Sequence, residues 1–153
     1  MQKLNKMFES NSNLIEEACI RISKHLIKTP ILRHDALNHK LGHDIYLKLD
    51  SNQITGAFKV RAVLNHLLIL KEQGALPEKI VGYTTGNHGV AMGYAAQLLN
   101  IKARIYVPSY VSNFKANLIT QYPVELIYTD TREEAEERTK LDSLDGFYYL
   151  HPS

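Results

Sequence analysis

Apolar residues change their spacing several times along this chain, and each change marks an element. Between residues 14 and 27, Leu14, Ile15, Ala18, Cys19, Ile22, Leu26 and Ile27 recur at the spacing of one helix face. Asn11, Ser12 and Asn13 offer caps ahead of it, and Glu16 and Glu17 suit the positive end of its dipole. Residues 1–13 are polar and unpatterned and read as an arm. Pro30 ends the helix, because proline drives the residue before it into extended geometry. Ile31-Leu32 is a short extended piece, 35–41 a short helical turn, and 44–50 alternates like a strand.

After residue 50 the pattern becomes regular. Val60, Val63, Leu64, Leu67 and Leu68 form the apolar face of a helix that ends near Gly74. Residues 80–83 read as a buried strand, followed by a helix through Val90, Tyr94, Ala95 and Leu98. Strand (103–107), helix (114–121), strand (124–128), helix (131–141) and a last strand from Tyr148 complete the series, with Thr131 and Glu134 spaced as a capping box. Strands alternating with helices at these intervals predict an α/β fold, with a parallel sheet of about four strands flanked by helices. Ligands of such sheets bind beyond the carboxyl ends of the strands.

Composition narrows the field. With 18 Lys+Arg against 16 Asp+Glu the formal charge is +2, and no basic stripe interleaved with aromatics supports a nucleic-acid surface. No apolar run approaches membrane-spanning length and no signal-peptide core follows the first residues, so a cytoplasmic protein is expected. Cys19 has no partner for an internal disulfide and lies on an apolar helix face, which predicts a buried structural thiol. His34, His39 and His43 cluster, with the last two at i, i+4, but no third strong ligand shares their face; exposed polar histidines are expected, and no metal. Glu133, Glu134, Glu136 and Glu137 stand among Arg132, Arg138 and Lys140 and read as a solvated, salt-bridged helix face.

Two stretches remain, residues 55–61 (TGAFKVR) and 84–89 (TTGNHG). Each follows a strand-like run and opens a helix, where free backbone N–H groups face a ligand. A lysine at a helix start, Lys59, meets a dipole that disfavours its charged form and frees its amine as a nucleophile. Phe58 beside it offers an apolar wall. Asn87 brings a donor and an acceptor and His88 a titratable ring, in a turn where Gly86 and Gly89 permit close approach. The residues alone leave this turn open between an anion-binding site and a plain strand-to-helix connection capped by threonine. It is neither a Walker loop nor a dinucleotide fingerprint.

In order along the chain, Thr29-Pro30, LKLD at 47–50, QITGAFKVR at 53–61, TTGNH at 84–88, Val107-Pro108 and Lys115 resemble the N-terminal part of the fold-type II pyridoxal-phosphate enzymes, in the threonine/serine dehydratase and serine racemase branch. The resemblance covers roughly residues 20–152. It implies pyridoxal 5'-phosphate as cofactor and an amino acid as substrate. Residues 50–153 match the family's small domain and 14–49 a piece of its large domain. Carried over position by position, Lys59 is the lysine that bonds the cofactor and moves the α-proton, Phe58 packs beside the ring, and Asn87 bonds the ring's phenolic oxygen. Thr84, Thr85, Gly86, Asn87 and His88 hold the substrate carboxylate, and Thr85 occupies the position of the racemases' opposite-face serine.

The sequence departs from that family at Ala57, usually serine, at Ala62, usually glycine, at Asp50, usually glutamate, and at Pro123, usually glycine. It also has no glycine-rich phosphate loop: the last glycine, Gly146, stands alone. The expectation is the first half of a two-domain enzyme, binding cofactor weakly and inactive alone. A homo-oligomer or a second-half chain would complete it; the alternative is a non-catalytic interaction module.

Overall fold

The computed structural model describes residues 2–152, with side chains from residue 12 onward. The chain forms two compact units, residues 1–58 and 59–153. Residues 50–58, grouped by the sequence reading with the second part, lie in the first.

The first unit opens with α1 (Gln2–Ser23), followed by β1 (Ile31–Arg33), α2 (Asp35–Leu41) and β2 (Tyr46–Lys48). The helix begins well before the expected start at residue 14. Apolar periodicity detects only the patterned part of a helix, whereas residues 2–10 contain no Gly or Pro and are rich in good helix formers. Cys19 is exposed, not buried as expected. The reason is visible on the same helix: Leu14, Ile15 and Ile20 are exposed as well, and of its described residues only Ile22 is buried. Periodicity reports which face is apolar and says nothing of whether a partner covers it.

Strands β1 and β2 pair antiparallel, Leu32 opposite Leu47. Both are exposed along their length, so polar contacts hold the unit instead. Buried Gln53 bonds both backbone groups of Ile27, accepting from its N–H at 2.9 Å and donating to its carbonyl at 2.8 Å. Thr29 donates to Asp50 at 2.7 Å, and Lys48 donates to the Thr29 carbonyl at 2.6 Å. His34 is only half-exposed, because Nδ1 caps α2 by accepting from the Leu37 N–H.

The second unit runs α3 (Lys59–Glu72), β3 (Lys79–Tyr83), α4 (Asn87–Leu99), β4 (Lys102–Pro108), α5 (Asn113–Ile119), β5 (Glu125–Thr129), α6 (Arg132–Leu144) and β6 (Tyr148–Tyr149). Four strands make one parallel sheet in the order β5-β4-β3-β6. Its two faces follow from strand alternation. Val81 and Tyr83 pack with Tyr106 against Ala135 of α6. Gly82, pointing the other way, leaves room for Met92 of α4, whose sulfur lies 2.8 Å from where a Cβ would stand. Helix α3 packs on α4 and buries Val60, Val63, Leu64, Leu67 and Leu68, the five positions its pattern marks. Each such side chain contributes roughly 1.5–3 kcal/mol of transfer free energy.

A polar clasp ties α6 to the sheet. Arg104 Nη1 donates to both Asp142 oxygens at 3.1 Å, Tyr106 donates to Oδ2 at 2.9 Å, and Arg104 Nε bonds Glu125 at 2.8 Å. The Thr131 hydroxyl oxygen accepts from Glu134 N–H at 3.1 Å, while the Glu134 carboxylate reaches one residue further back, to the Asp130 N–H. The acidic run forms i, i+4 pairs, Glu134–Arg138 and Glu136–Lys140, both at 2.7 Å.

Candidate active site

The connection from β3 to α4 is shaped from within. The Thr84 hydroxyl oxygen accepts from Gly86 N–H at 2.9 Å and from Gly89 N–H at 3.3 Å, so buried Thr84 holds the turn closed from inside. Gly86 is the N-cap, with no side chain to satisfy the helix start. Thr85 and Asn87 are exposed; Thr84, Gly86 and His88 are buried. The turn thus splits by alternation into residues that build it and residues that face outward. Glycine at 89 allows a close approach: a Cβ there would stand 2.6 Å from Thr84 Cγ2 and 2.8 Å from Ile119 Cδ1, so those side chains would have to shift. Gly86 is crossed by Lys115, whose Cδ and Nζ lie 2.9 and 3.1 Å from the corresponding point. A second cation thereby stands at this helix start.

Lys59 is the first residue of α3 and half-buried. Its Nζ donates to the Pro152 carbonyl at 2.7 Å. Segment 150–152 continues β6, and the Leu150 N–H donates to the Val81 carbonyl of β3 at 2.8 Å. His88 Nε2 bonds the Leu150 carbonyl at 3.0 Å. A carbonyl only accepts, so Nε2 carries the proton. The two helix starts that the sequence marks, one with Lys59 and one with His88, therefore converge on one short segment at the carboxyl ends of β3 and β6.

Between them lies a cleft of about 370 Å³, lined by Lys59, Val63, His66, His88, Tyr148 and Leu150 among others. His66 Nε2 and the Tyr148 hydroxyl stand 2.7 Å apart on its rim. Burial is the main cause that lowers the His88 pKa below the usual 6.5, with the positive charges of Lys59 and His151 adding to it and the bond to Leu150 opposing. His88 is thus a neutral ring clamped inward on the backbone. Phe58, in the first unit, is 59% exposed, a broad apolar ring open to solvent.

Among the described residues no group of three His, Cys, Asp or Glu side chains stands close enough to hold a metal ion. No described helix is long and apolar enough to cross a membrane. The donor set suits an organic carbonyl compound: a primary amine in a cleft, a neutral imidazole, and outward hydroxyl and amide groups at a helix start. Sequence reasoning located Lys59 and the turn but missed segment 150–152. Its contribution is backbone carbonyls, which carry no side-chain signal; the only available clue was that a strand begins at Tyr148.

Residues 22–153 match the family model described as "Pyridoxal-phosphate dependent enzyme". Serine racemase of Mus musculus is 36% identical over 126 residues, which is 81% of this chain and 37% of that protein. L-threo-3-hydroxyaspartate ammonia-lyase of Saccharomyces cerevisiae is 33% identical over 140 residues, 89% of this chain and 42% of that protein. The crystal structure of serine racemase from Dictyostelium discoideum superposes with a TM-score of 0.78 at 33% identity, covering 90% of this chain and 45% of the other. The chain spans less than half the length of each of these relatives.

Proposed function

This chain belongs to the pyridoxal-phosphate-dependent enzyme family, and from that premise we propose that it carries the lysine-bearing half of a site for β-elimination from hydroxy amino acids, giving a 2-oxo acid and ammonia. The observation that carries this reading is the convergence of Lys59 and the 84–88 turn on one segment at the carboxyl end of the sheet.

The residues present fit the reactive end of the cofactor. Lys59 offers the amine that an aldehyde requires, and Asn87, exposed at the first position of α4, offers an amide N–H to a ring oxygen. Pyridoxal phosphate, when bound, supplies an electron sink for the charge left at Cα once its proton is removed. The protein's own part is then positioning and proton movement. Lys59 takes the α-proton as general base. The start of α4 orients the substrate carboxylate with its unpaired N–H groups and dipole. The exposed Thr85 hydroxyl is the candidate acid/base on the opposite face.

In a second reading the chain binds cofactor weakly, and another copy or a separate chain completes the site, or it serves only as an interaction module. The exposed apolar side chains of Leu14, Ile15 and Ile20 on α1 favour this reading. An absorbance titration with pyridoxal phosphate separates the two. A visible band that saturates and is abolished in Lys59→Ala supports the site as assigned. Absence of the band, or an equal band in Lys59→Ala, removes the lysine from its role.

A further inference from the structure

Two contacts on segment 150–152 have a joint consequence for Lys59. The buried His88 ring, 5% exposed, donates from Nε2 to the Leu150 carbonyl at 3.0 Å. Two residues later the Pro152 carbonyl accepts from Lys59 Nζ at 2.7 Å. On the strand side the segment is fixed by the bond from the Leu150 N–H to Val81. Beyond Leu150 it leaves the sheet: His151 is exposed and Pro152 half-exposed. The segment is therefore held at its root by β3 and His88, and Pro152 lies on the amine.

We propose that His88 is a positioning residue for Lys59: by gripping the Leu150 carbonyl it keeps segment 150–152 across the cleft, where the Pro152 carbonyl holds the Lys59 amine. An amine donating to a carbonyl at 2.7 Å is held against that oxygen, and the bond must break before the amine can swing to another position. Removing the grip of His88 leaves the Leu150 carbonyl without that donor and lets the segment drift, so the time Lys59 spends exposed rises. Losing one net hydrogen bond shifts such an equilibrium about fivefold.

The contact stands on geometry, and its role in cofactor capture rests on the reading of Lys59 given above. The test therefore avoids the cofactor. Formaldehyde with cyanoborohydride methylates accessible lysine amines, and peptide mass resolves the positions. Lys79, which donates to the Asp145 carbonyl at 3.0 Å at the amino end of β3, the end opposite the His88 turn, serves as the internal reference for folding.

His88→Phe keeps the volume and removes the donor; it is expected to raise the Lys59-to-Lys79 labelling ratio about fivefold. His88→Gln carries an N–H at similar reach and is expected to restore the wild-type ratio. His88→Asn is too short to reach the carbonyl and should behave as the phenylalanine variant, which decides the matter if that variant does not fold. A ratio unchanged in His88→Asn and in folded His88→Phe overturns the inference, as does a glutamine variant that matches them. Either result is independent of the pyridoxal phosphate titration.

Discussion

His88 shows how one residue can look like a reactive group and act as a fastener. Its folded pKa lies below the ordinary value of 6.5, chiefly because it is buried. The unfolded chain thus binds a proton more readily than the folded one. Stability is full above 6.5 and declines as the pH falls below that value toward the folded pKa. Denaturant midpoints at about pH 7.5 and about pH 5.5 should differ for the wild-type chain, and less so for His88→Gln, which has nothing to titrate there. Thr85 makes the opposite case. Its hydroxyl is exposed, so Thr85→Ala should leave the thermal midpoint nearly unchanged, within about 0.5 kcal/mol, while abolishing any racemisation that uses this face. A Thr85→Ala variant that racemises normally removes the hydroxyl from that role. At this scale the sequence was readable for placement: Lys59 stands at the helix start its pattern marks. It was not readable for His88 and Thr84, whose side chains bond to backbone, because the same residue types serve equally well facing outward.

At the scale of elements, the packing around the start of α4 sets what can be changed. Gly89→Ala gains about 1 kcal/mol of helix propensity. Against this, its Cβ would overlap Thr84 and fully buried Ile119, and such overpacking costs about 1–3 kcal/mol. The expected result is net destabilisation, together with slower or weaker reaction at Lys59 as the turn shifts; equal stability would show that α5 yields freely. Asp142→Asn breaks the clasp from Arg104 and Tyr106 and should cost about 1–3 kcal/mol by chemical denaturation. The helices and strands of the second unit were legible because their apolar faces are satisfied within it: α3 buries the five residues its spacing marks. In the first unit the alternation over 44–50 marks β2, but β1 and β2 are exposed along their three residues, so no burial pattern reveals their pairing. The Gln53 bridge to Ile27 spans 26 positions and leaves no local trace.

For the whole molecule, the exposed apolar side chains of the first unit are the main physical fact. Leu14, Ile15 and Ile20 are 60%, 64% and 73% exposed on α1. Exposed apolar side chains of this kind promote association. Sedimentation velocity should show a concentration-dependent species larger than the 17.4 kDa chain, and Ile20→Glu should shift it toward the monomer. A wild-type chain that stays monomeric at all accessible concentrations counts against this expectation. The arrangement of the sheet carries a different consequence. From β3 the chain travels outward through β4 to β5, then returns by α6 to place β6 on the far side of β3. The cleft opens where those two directions of travel part. On the outward side residues 130–131 join β5, the edge strand, to α6, whereas residues 109–112 lead into α5, whose Lys115 crosses Gly86 at the start of α4. The β5 edge, two strands from the cleft, is therefore the flank on which the fold can vary, while the stretch entering α5 is bound to the geometry of the turn.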